Sequence, residues 1–520
     1  MFPGFFATST PDKPAVIMAR SGASVSYRQL DERSMQLAQL FADRGITRGQ
    51  VIVALMENRL EFFEVYWAAI RSELYFTAVS THLAPAEVAY IVANVDARAF
   101  ITTEAQTQTA VPVPVSSSAV KLIFDGPLGG FEAVEETLAD YPAVPLPDER
   151  RGDTLLFSSG TTGRPKGIKR PLTGLAIDDP AGSPLSVLEQ RLLGMDADSV
   201  YLSPAPLYHT APLGWSAAVH GLGGTVVVME SFDPEQFLAA IERHRVTHAQ
   251  VVPTMFVRLL KLPEAVRSRY DVSSLRSIVH AAAPCPVEVK QAMIDWLGPI
   301  VHEYYSGTEA VGFTFINAGD WLSHRGSVGK PIFGIPHVCD ESGTELVAGE
   351  AGLLYFEMTT APFEYHDDPE KTAQSRHPDH DNWATLGDIG YLDSDGYVYL
   401  TDRKSFTIIS GGVNIYPAEI EACLVMHPAV ADVAVFGLPD PEMGEYVHAV
   451  VQLQPEVPAS ADLVDELRSH ARHALAGYKV PRVVDFRDEL PRLPTGKLVK
   501  GVLRQEYLAR VSANDHASYT

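Results

Sequence analysis

The spacing of apolar and polar residues near the start of the chain predicts an amphipathic helix over residues 25–45. Leu30 and Leu37 fall on one face at helical spacing, with polar residues between them. Ser26 and Gln29 stand three residues apart, which is the spacing of a capping box at the start of a helix. The pattern and the cap therefore predict the same element.

The same kind of pattern alternates with short, continuous apolar runs through much of the chain. Strands are predicted at residues 51–59, 99–103, 223–230 and 277–285, and helices at residues 61–71 and 234–246. Alternating strands and helices are typical of parallel sheets that are covered by helices. We therefore expect an α/β fold.

The pattern changes in residues 387–404, where apolar and polar residues alternate around the Asp395–Gly396 turn. This is typical of an antiparallel hairpin. The following patterns predict a helix, two strands and a helix, over residues 417–430, 431–440, 448–454 and 462–475. They form a small α+β domain of about a hundred residues, within the usual size range. We place the domain boundary so that residues 1–403 and 404–520 form two domains.

The composition of this chain of 520 residues argues against several classes of protein. A net charge of −24 argues against a nucleic-acid-binding protein, whose surface would carry a basic face, but it leaves small polyanionic ligands open. The three cysteines lie far apart, which argues against a disulfide framework or a zinc site. Neither a secretory signal nor an apolar run of membrane-spanning length is visible. A cytoplasmic location without an integral membrane segment is expected.

A loop rich in glycine and hydroxyl groups follows a short apolar run at residues 155–170, LLFSSGTTGRPKGIKR. Glycines allow successive backbone N–H groups to point inward, and such concave turns bind phosphates. Lys166 adds a positive charge, and the apolar run predicts a buried strand that holds the loop. A mobile linker is the alternative, since linkers share this composition. Because a linker needs neither the lysine nor the strand, we favour a phosphate-binding loop.

Five further motifs follow in order, at residues 201–215, 303–309, 383–392, 401–421 and 490–500. They read YLSPAPLYHTAPLGW, EYYSGTE, WATLGDIGYL, TDRKSFTIISGGVNIYPAEIE and LPRLPTGKLVK. With the loop, they resemble the adenylate-forming superfamily, and within it the bacterial acyl-CoA synthetases of the fatty-acid–CoA ligase type. The resemblance implies a large N-terminal domain of mixed, mainly parallel sheets with a small β-barrel-like subdomain. A small, mobile α+β C-terminal domain would follow it.

The resemblance also implies a chemistry. An ATP-dependent acid–CoA ligase first forms an acyl-adenylate and releases pyrophosphate, and then forms an acyl-CoA thioester and releases AMP. ATP and coenzyme A would be co-substrates, Mg²⁺ the cofactor, and the acid an apolar one such as a fatty acid, a steroid side-chain acid or an arylalkanoate. The main alternative is an acyl-AMP ligase that serves a carrier protein. A light-emitting oxidase and a non-enzymatic nucleotide-binding regulator fit the motifs less well, and a homodimer is left open.

The motifs assign residues to the nucleotide and the catalytic groups by resemblance. Lys497 is expected to bridge the carboxylate and the α-phosphate, Thr308 to bind the α-phosphate, Glu309 to hold Mg²⁺, and His209 to gate the acyl pocket. The residues expected to contact ATP or AMP are Ser158, Ser159, Gly160, Thr161, Thr162, Gly163, Lys166, Ala282, Ala283, Pro284, Glu303, Tyr304, Tyr305, Ser306, Thr308, Asp388, Arg403 and Lys497.

The remaining assignments concern the acid, the thiol and the hinge. The acyl pocket is expected to be lined by His209, Leu213, Trp215, Met255, Ala281, Gly307 and Phe313. Coenzyme A is expected to contact Ser410, Gly411, Gly412 and Lys479. Ser405 marks the hinge, where the family usually has Asp or Lys, and Ala281 stands where many relatives have Gly.

Several of these residues also have a purely structural interpretation. Glu309 is also consistent with a solvated loop carboxylate, Asp388 with an ordinary turn, and Tyr305 with a core aromatic residue. The apolar pocket residues are equally compatible with the core. The histidine-rich stretch at residues 377–383 favours a solvated turn, and we assign no metal there.

Overall fold

The computed structural model describes residues 2–158, 165–359, 363–403, 406–411, 413–492 and 498–517. The chain divides into two compact units. The first comprises residues 1–251, 261–279 and 362–373, and the second comprises residues 252–260, 280–361 and 374–520. The predicted boundary at residues 403–404 stays a prediction.

The first unit contains a six-stranded, fully parallel sheet, as the alternating pattern predicted. Its strands, in spatial order, are Glu132–Ala133, Val120–Phe124, Ala99–Thr103, Val51–Leu55, Tyr75–Ala78 and Asp153–Thr154. Every residue of Val51–Leu55 and of Ala99–Thr103 is buried, which explains their continuous apolar character. A buried cluster that includes Val53, Phe100 and Ile91 forms the core on one face.

A second set of strands in this unit is His248–Val251, Val200–Ser203, Thr225–Val228, Pro14–Met18 and Ser24–Ser26. Neighbouring strands in this set pair in parallel, except that Ser24–Ser26 is antiparallel to Pro14–Met18. Ser277–His280 lies beside His248–Val251. A small antiparallel sheet consists of Leu156–Ser158, Lys166–Lys169 and Glu364–Tyr365. The helices around these sheets are Pro3–Ser9, Tyr27–Asp43, Glu61–Arg71, Pro85–Asn94, Thr107–Ala110, Val134–Leu138, Pro184–Leu193, Thr210–Leu222, Pro234–His244, Glu264–Arg267 and Pro369–Gln374.

The capping box predicted for the first long helix is present. The N–H of Gln29 donates to Ser26 Oγ at 3.3 Å, and the N–H of Ser26 donates to Gln29 Oε1 at 2.9 Å. Both bonds satisfy donors that the helix itself leaves without partners. The local sequence therefore fixes where the helix Tyr27–Asp43 begins.

The second unit contains a group of seven strands whose neighbours all pair in the antiparallel direction. Its larger group of strands is, in spatial order, Val301–Tyr305, Phe313–Ile316, Ser327–Phe333, Val398–Arg403, Trp383–Leu392, Gly352–Glu357 and Ile335–Cys339. The hairpin predicted at residues 387–404 is confirmed, since Trp383–Leu392 pairs with Val398–Arg403. The helices Pro253–Leu260, Val287–Leu297 and Ala318–Ser323 accompany these strands.

The C-terminal part follows the predicted order of helix, two strands and helix, at Pro417–Val425, Val430–Asp440, Gly444–Leu453 and Ala461–Ala474. The hairpin Ile408–Ser410 and Val413–Ile415 and the strand Val483–Phe486 complete its five-stranded sheet. Ile420, Leu424 and Leu467 pack against the sheet in a buried cluster. The helix Lys500–Ala517 ends the described chain.

One interpretation of the sequence is wrong for part of its stretch. His377 is buried rather than solvated, because its Nε2 lies 2.9 Å from the carbonyl oxygen of Gly343 and its ring packs edge-on against Tyr355. Asp379, His380 and Asp381 are exposed, as a solvated turn requires. Among the residues that the structure describes, no helix is both long and apolar enough to cross a membrane.

Candidate active site

The predicted phosphate-binding loop connects two paired strands. Ser158 lies opposite Lys166 in the antiparallel pair Leu156–Ser158 and Lys166–Lys169. The strand before the loop is buried, as expected, since Leu155 and Leu156 are almost fully covered. The loop residues Ser159, Gly160, Thr161, Thr162 and Gly163 lie outside the described residues.

Lys166 leaves this hairpin beside an aromatic ring. Its Nζ lies 5.7 Å from the centroid of the Tyr365 ring. A cavity beside the hairpin is lined by Tyr90, Asn94, Pro165, Lys166, Gly167, His366, Asp367 and Asp368. Because its lining includes two carboxylates, we do not assign a phosphate to this cavity.

Two of the predicted nucleotide motifs meet in the second unit. The hydroxyl of Tyr305, at the end of the strand Val301–Tyr305, donates to Asp388 Oδ2 at 2.6 Å. Asp388 is buried, and its backbone lies opposite Arg403 in the adjacent hairpin. The contact brings Tyr305 and Asp388 together.

The third residue of this strand, Glu303, has a different environment. Its Oε2 accepts a hydrogen bond from Lys290 Nζ at 2.6 Å and lies 3.4 Å from His280 Nε2. Burial raises the pKa of the Glu303 carboxyl, while the Lys290 charge opposes that shift. Burial, followed by the nearby charges of Lys290 and His302, holds the pKa of His280 well below its usual value. Contact between Glu303 and a nucleotide stays a prediction.

Lys290 is a site residue that the sequence analysis missed. It lies on the helix Val287–Leu297, is almost fully buried, and its Nζ stands 4.9 Å from the centroid of the Trp321 ring. The signal available in the sequence is a lysine among the apolar positions Val289 and Met293 of a helix. A buried lysine requires an anionic partner, but the sequence alone does not identify that partner as Glu303.

The turn after this strand carries Thr308 and Glu309. Ser306 Oγ donates to the carbonyl oxygen of Gly312 at 2.9 Å and closes the turn. A side chain at Gly307 would place Cβ 2.8 Å from Leu386 Cδ1 and 3.0 Å from Glu309 Oε2, so these two side chains would have to move to accommodate it. The Glu309 carboxylate therefore lies back over the turn.

The predicted adenine segment follows the strand Ser277–His280. Ala281 is buried, and Ala282 has a φ of 74°, in the left-handed region that favours glycine. Ala281 stands where the resemblance leads one to expect Gly, whereas the residue with the positive φ is its neighbour Ala282. Ala283 and Pro284 follow in the connection to the helix Val287–Leu297.

The residues proposed for the acyl pocket are present in both units and are mostly buried. His209 immediately precedes the helix Thr210–Leu222, and its ring centroid lies 4.5 Å from that of Tyr208. On that helix, Leu213 and Trp215 are buried, and Trp215 stacks on Tyr201 with centroids 6.4 Å apart.

In the second unit, the candidates for the acyl pocket are Met255, Ala281, Gly307 and Phe313. Met255 is buried on the helix Pro253–Leu260. The Phe313 ring stacks between Tyr304, at 5.1 Å, and Phe333, at 6.0 Å. Burial of this kind agrees with both a pocket wall and a core, so the assignment stays a prediction.

The predicted coenzyme A residues lie in the C-terminal part. Ser410 ends a strand and faces Val413 and Gly444 across the sheet. Gly411 has a φ of 57°, which favours glycine there. Lys479 Nζ donates to Glu419 Oε2 at 2.6 Å, so this lysine is already ion-paired. Gly412, the predicted hinge residue Ser405 and the predicted catalytic residue Lys497 lie outside the described residues.

Two protein families match most of the chain. The family described as "AMP-binding enzyme" matches residues 6–360, and its "AMP-binding enzyme C-terminal domain" matches residues 419–497. The chain belongs to the AMP-binding enzyme family. The resemblance to adenylate-forming enzymes and the expected two-part α/β fold class are thereby confirmed.

Relatives of this AMP-binding enzyme cover nearly its full length. A feruloyl-CoA synthase from a Streptomyces species is 33% identical over 95% of this chain and 96% of the relative. A 3-[(3aS,4S,7aS)-7a-methyl-1,5-dioxo-octahydro-1H-inden-4-yl]propanoyl:CoA ligase from Rhodococcus jostii is 35% identical over 76% of this chain and 74% of the relative.

The fold of the AMP-binding enzyme is also that of solved structures. The o-succinylbenzoate CoA synthetase of Bacillus subtilis, solved with its acyl-adenylate intermediate, has a TM-score of 0.79 and 26% identity. The match covers 96% of this chain and 97% of that structure. Together, these findings confirm the predicted enzyme class, an AMP-forming acid–CoA ligase.

Proposed function

We propose that this chain joins an apolar carboxylic acid to coenzyme A through an acyl-adenylate that forms and is consumed at one site. The observation that carries the proposal is the hydrogen bond between Tyr305 and Asp388, which joins two predicted nucleotide motifs that lie 83 residues apart in the sequence. A carboxylate beside an aromatic ring provides an acceptor for a ribose diol and a flat surface for a base.

The first step brings an anionic acid against a polyanionic triphosphate, so the site must supply positive charge and hydrogen-bond donors. In this proposal, the loop from Ser158 to Lys166 binds the β- and γ-phosphates. Thr308 binds the α-phosphate, and Lys497 neutralises the charge that builds up between the acid and that phosphate. The carboxylate oxygen attacks the α-phosphorus, and pyrophosphate leaves with the electron pair of the broken P–O bond.

The residues on the turn after Tyr305 fit Mg²⁺. Glu309 supplies carboxylate oxygens and Thr308 a hydroxyl oxygen, and Mg²⁺ prefers oxygen donors. Glu309 would hold the ion, which when bound adds positive charge beside the phosphates. Among the described residues, no group of three or more histidine, cysteine or acidic side chains is arranged to hold a metal by protein ligands alone. One carboxylate plus phosphate oxygens is the usual arrangement for Mg²⁺.

The acid is proposed to be apolar over most of its length. Leu213, Trp215 and Met255 are buried, and such side chains pair with hydrocarbon or aromatic surface. The relatives named for feruloyl-CoA and for a bicyclic propanoyl-CoA support an acid with a ring system at least as well as a linear fatty acid.

The second step requires a thiol at the same carbonyl carbon. The thiolate sulfur attacks that carbon, the bond to the AMP oxygen breaks, and AMP leaves with the electron pair. We assign the turn Ser410–Gly412 and Lys479 to the coenzyme A path. For this, Lys479, whose side chain is 20% exposed, must exchange its partner Glu419 for a phosphate.

A panel of acids tests the proposed function when AMP release is measured with and without coenzyme A. We expect AMP and acyl-CoA to form in equal amounts only when the acid, ATP and coenzyme A are all present. AMP release that ignores coenzyme A and transfers the acyl group to a carrier protein would favour the acyl-AMP ligase instead. Absence of AMP with every acid would remove the proposal.

Lys497→Ala separates the two steps. The variant is expected to lose acid-dependent pyrophosphate exchange by roughly 10²–10³-fold, which is typical for removal of one group that stabilises charge in a transition state. Thiolysis of supplied acyl-AMP should continue. Lys261→Ala is the matched control, because Lys261 is exposed and lies outside every motif. Equal loss of both steps in a folded Lys497 variant contradicts the assignment.

A further inference from the structure

The helix Pro184–Leu193 packs against the helix that carries the predicted acyl-pocket residues. Ser186 Oγ donates to the carbonyl oxygen of Ala218 at 3.1 Å. A Cβ atom placed on Gly214 would lie 3.4 Å from Leu185 Cδ2, which is ordinary contact. The helix Thr210–Leu222 also carries Leu213 and Trp215, so the two helices share an interface at the predicted acyl-binding region.

Glu189 lies on the same face as Ser186, one helical turn later. Ser186 and Glu189 are the two buried residues of this helix, and Glu189 is only 1% exposed. Neither of its carboxyl oxygens has a hydrogen-bond partner among the residues that the structure describes. The large majority of buried side-chain polar atoms in proteins have a partner, so this arrangement requires a reason.

The protonation state of Glu189 limits the kinds of chemical group that it can bind. Burial alone raises the pKa of this carboxyl well above its usual value, and no neighbouring charge contributes to the shift. Burial therefore favours the neutral carboxylic acid over the carboxylate. A neutral carboxyl donates one hydrogen bond and accepts others, so it suits an uncharged oxygen rather than an ammonium group.

A second buried polar group on the strand beneath has no partner in the described part of the chain. Ser203 Oγ is fully buried and unbonded. Ser203 stands two residues after Tyr201 in the strand Val200–Ser203, so both side chains point to the same face of the sheet. That face is the one on which Tyr201 stacks with Trp215. The strand of Ser203 therefore contacts Trp215 through Tyr201, and the helix of Glu189 contacts the helix that carries Trp215.

We propose that Glu189 is a specificity-determining residue that binds a carbonyl or hydroxyl oxygen on the acid substrate, at a position remote from the reacting carboxylate. The inference rests on the proposed function, because it treats the region around Trp215 as the place where the acid body binds. It adds that the part of the acid remote from the carboxylate carries an oxygen and is not purely hydrocarbon. An acid without this oxygen leaves Glu189 buried and unbonded, and is disfavoured for that reason.

Matched pairs of acids test the inference. Each pair is an arylalkanoic or alicyclic propanoic acid with and without one ring keto or hydroxyl group, and kcat/KM is measured from AMP release. The wild-type chain should prefer the oxygenated member of at least one pair by about tenfold or more, as sites built to bind a substrate oxygen do. Glu189→Gln should keep much of that preference, since an amide also donates and accepts. Glu189→Leu should abolish it, while activity with the deoxygenated acid stays or rises.

Gln190→Leu is the matched control, because Gln190 is the next residue on the same helix and is exposed. It should leave the preference unchanged. The wild-type and Gln variant data decide the matter if Glu189→Leu does not fold.

Three outcomes would overturn the inference. Equal kcat/KM values for both members of every pair with the wild-type chain would show that Glu189 is a structural group that binds a buried water. Equal loss with both acids in Glu189→Leu, restored in Glu189→Gln, points to the same structural role. A preference for amine-bearing acids would show that the carboxyl binds a cation. If no acid supports AMP formation, the proposed function itself fails, which separates that failure from these.

Discussion

Two buried glutamates, one in each unit, differ in whether the fold supplies a partner. Glu303 in the second unit accepts a hydrogen bond from Lys290 at 2.6 Å, with His280 close by. Glu189 in the first unit is equally buried, yet both its oxygens are unbonded among the described residues. One carboxyl belongs to a completed ion pair and the other does not.

The difference separates what the fold completes by itself from what it leaves for a ligand. The Lys290–Glu303 pair ties the helix Val287–Leu297 to the strand that ends in Tyr305, so it fixes the backbone beneath the predicted nucleotide site. The Glu189 carboxyl bonds to no other described residue, so its burial lowers stability without a compensating hydrogen bond. Substitutions near Glu303 should therefore affect stability with every substrate, and substitutions at Glu189 should affect the choice of acid.

The largest effect is expected for Lys290→Met. Removal of one partner from a buried ion pair leaves the other uncompensated, which costs about 3–5 kcal/mol of unfolding free energy. Urea denaturation measures the change. The double variant Lys290→Met with Glu303→Leu should recover a large part of the loss, because no buried carboxyl is then left alone. A single variant as stable as the wild type would show that the pair is not structural.

A smaller effect is expected for Asp388→Asn, which keeps an acceptor for the Tyr305 hydroxyl but removes the charge. The apparent KM for ATP should rise by about tenfold, equivalent to about 1.4 kcal/mol, because a hydrogen bond to a charged acceptor is replaced by a neutral one. Initial rates at varied ATP provide the test. Tyr305→Phe, which removes the hydroxyl that donates to Asp388, is the companion variant. A change in the KM for the acid without a change in the KM for ATP would contradict the assignment of Asp388 to the nucleotide site.

The pH dependence of stability provides the next test. Because the pKa of Glu189 is raised in the folded chain, the unfolded chain releases this proton first as pH rises. As pH rises above the pKa of Glu189 in the unfolded chain, the unfolding free energy of the wild type should therefore fall relative to that of Glu189→Gln. The fall is at most about 1.4 kcal/mol per pH unit, and it ends at the pKa of Glu189 in the folded chain. Unfolding curves of both proteins between about pH 4 and about pH 8 measure this difference. A constant difference would mean that Glu189 ionises normally in the fold.

The smallest effect is expected for Ser186→Ala, which removes the hydrogen bond to the Ala218 carbonyl. A single buried hydrogen bond contributes about 1 kcal/mol, so stability should fall by that amount. Acid preference should stay as in the wild type, because Glu189 is untouched. Loss of the preference in this variant would show that the helix interface as a whole, rather than Glu189, sets specificity.

Much of the fold followed from local pattern. The helix Glu61–Arg71 and the strand Ala99–Thr103 have the predicted bounds, and the capping box of Ser26 and Gln29 formed as expected. Such features depend on residues that are neighbours in sequence. The buried strand before the phosphate-binding loop also followed from the apolar run that includes Leu155 and Leu156.

The partners that define the site were beyond the sequence. Lys290 stands among apolar residues in the sequence, but its partner Glu303 is thirteen positions away on another element. The helix Pro184–Leu193 was not predicted, so Glu189 had no assigned face. His377 was placed in a solvated turn because its neighbours are polar, whereas tertiary contacts with Gly343 and Tyr355 bury it. In each case, the deciding contact depends on tertiary packing that local periodicity does not encode.

The proposed acyl-adenylate mechanism can be checked by the product that forms when purified chain is mixed with ATP, Mg²⁺ and a reactive acid in the absence of coenzyme A. It predicts pyrophosphate together with enzyme-bound acyl-AMP, up to one molecule per chain, and conversion of that adenylate to thioester and free AMP when coenzyme A is added. ADP and phosphate as products, or nucleotide cleavage that does not depend on the acid, would contradict it.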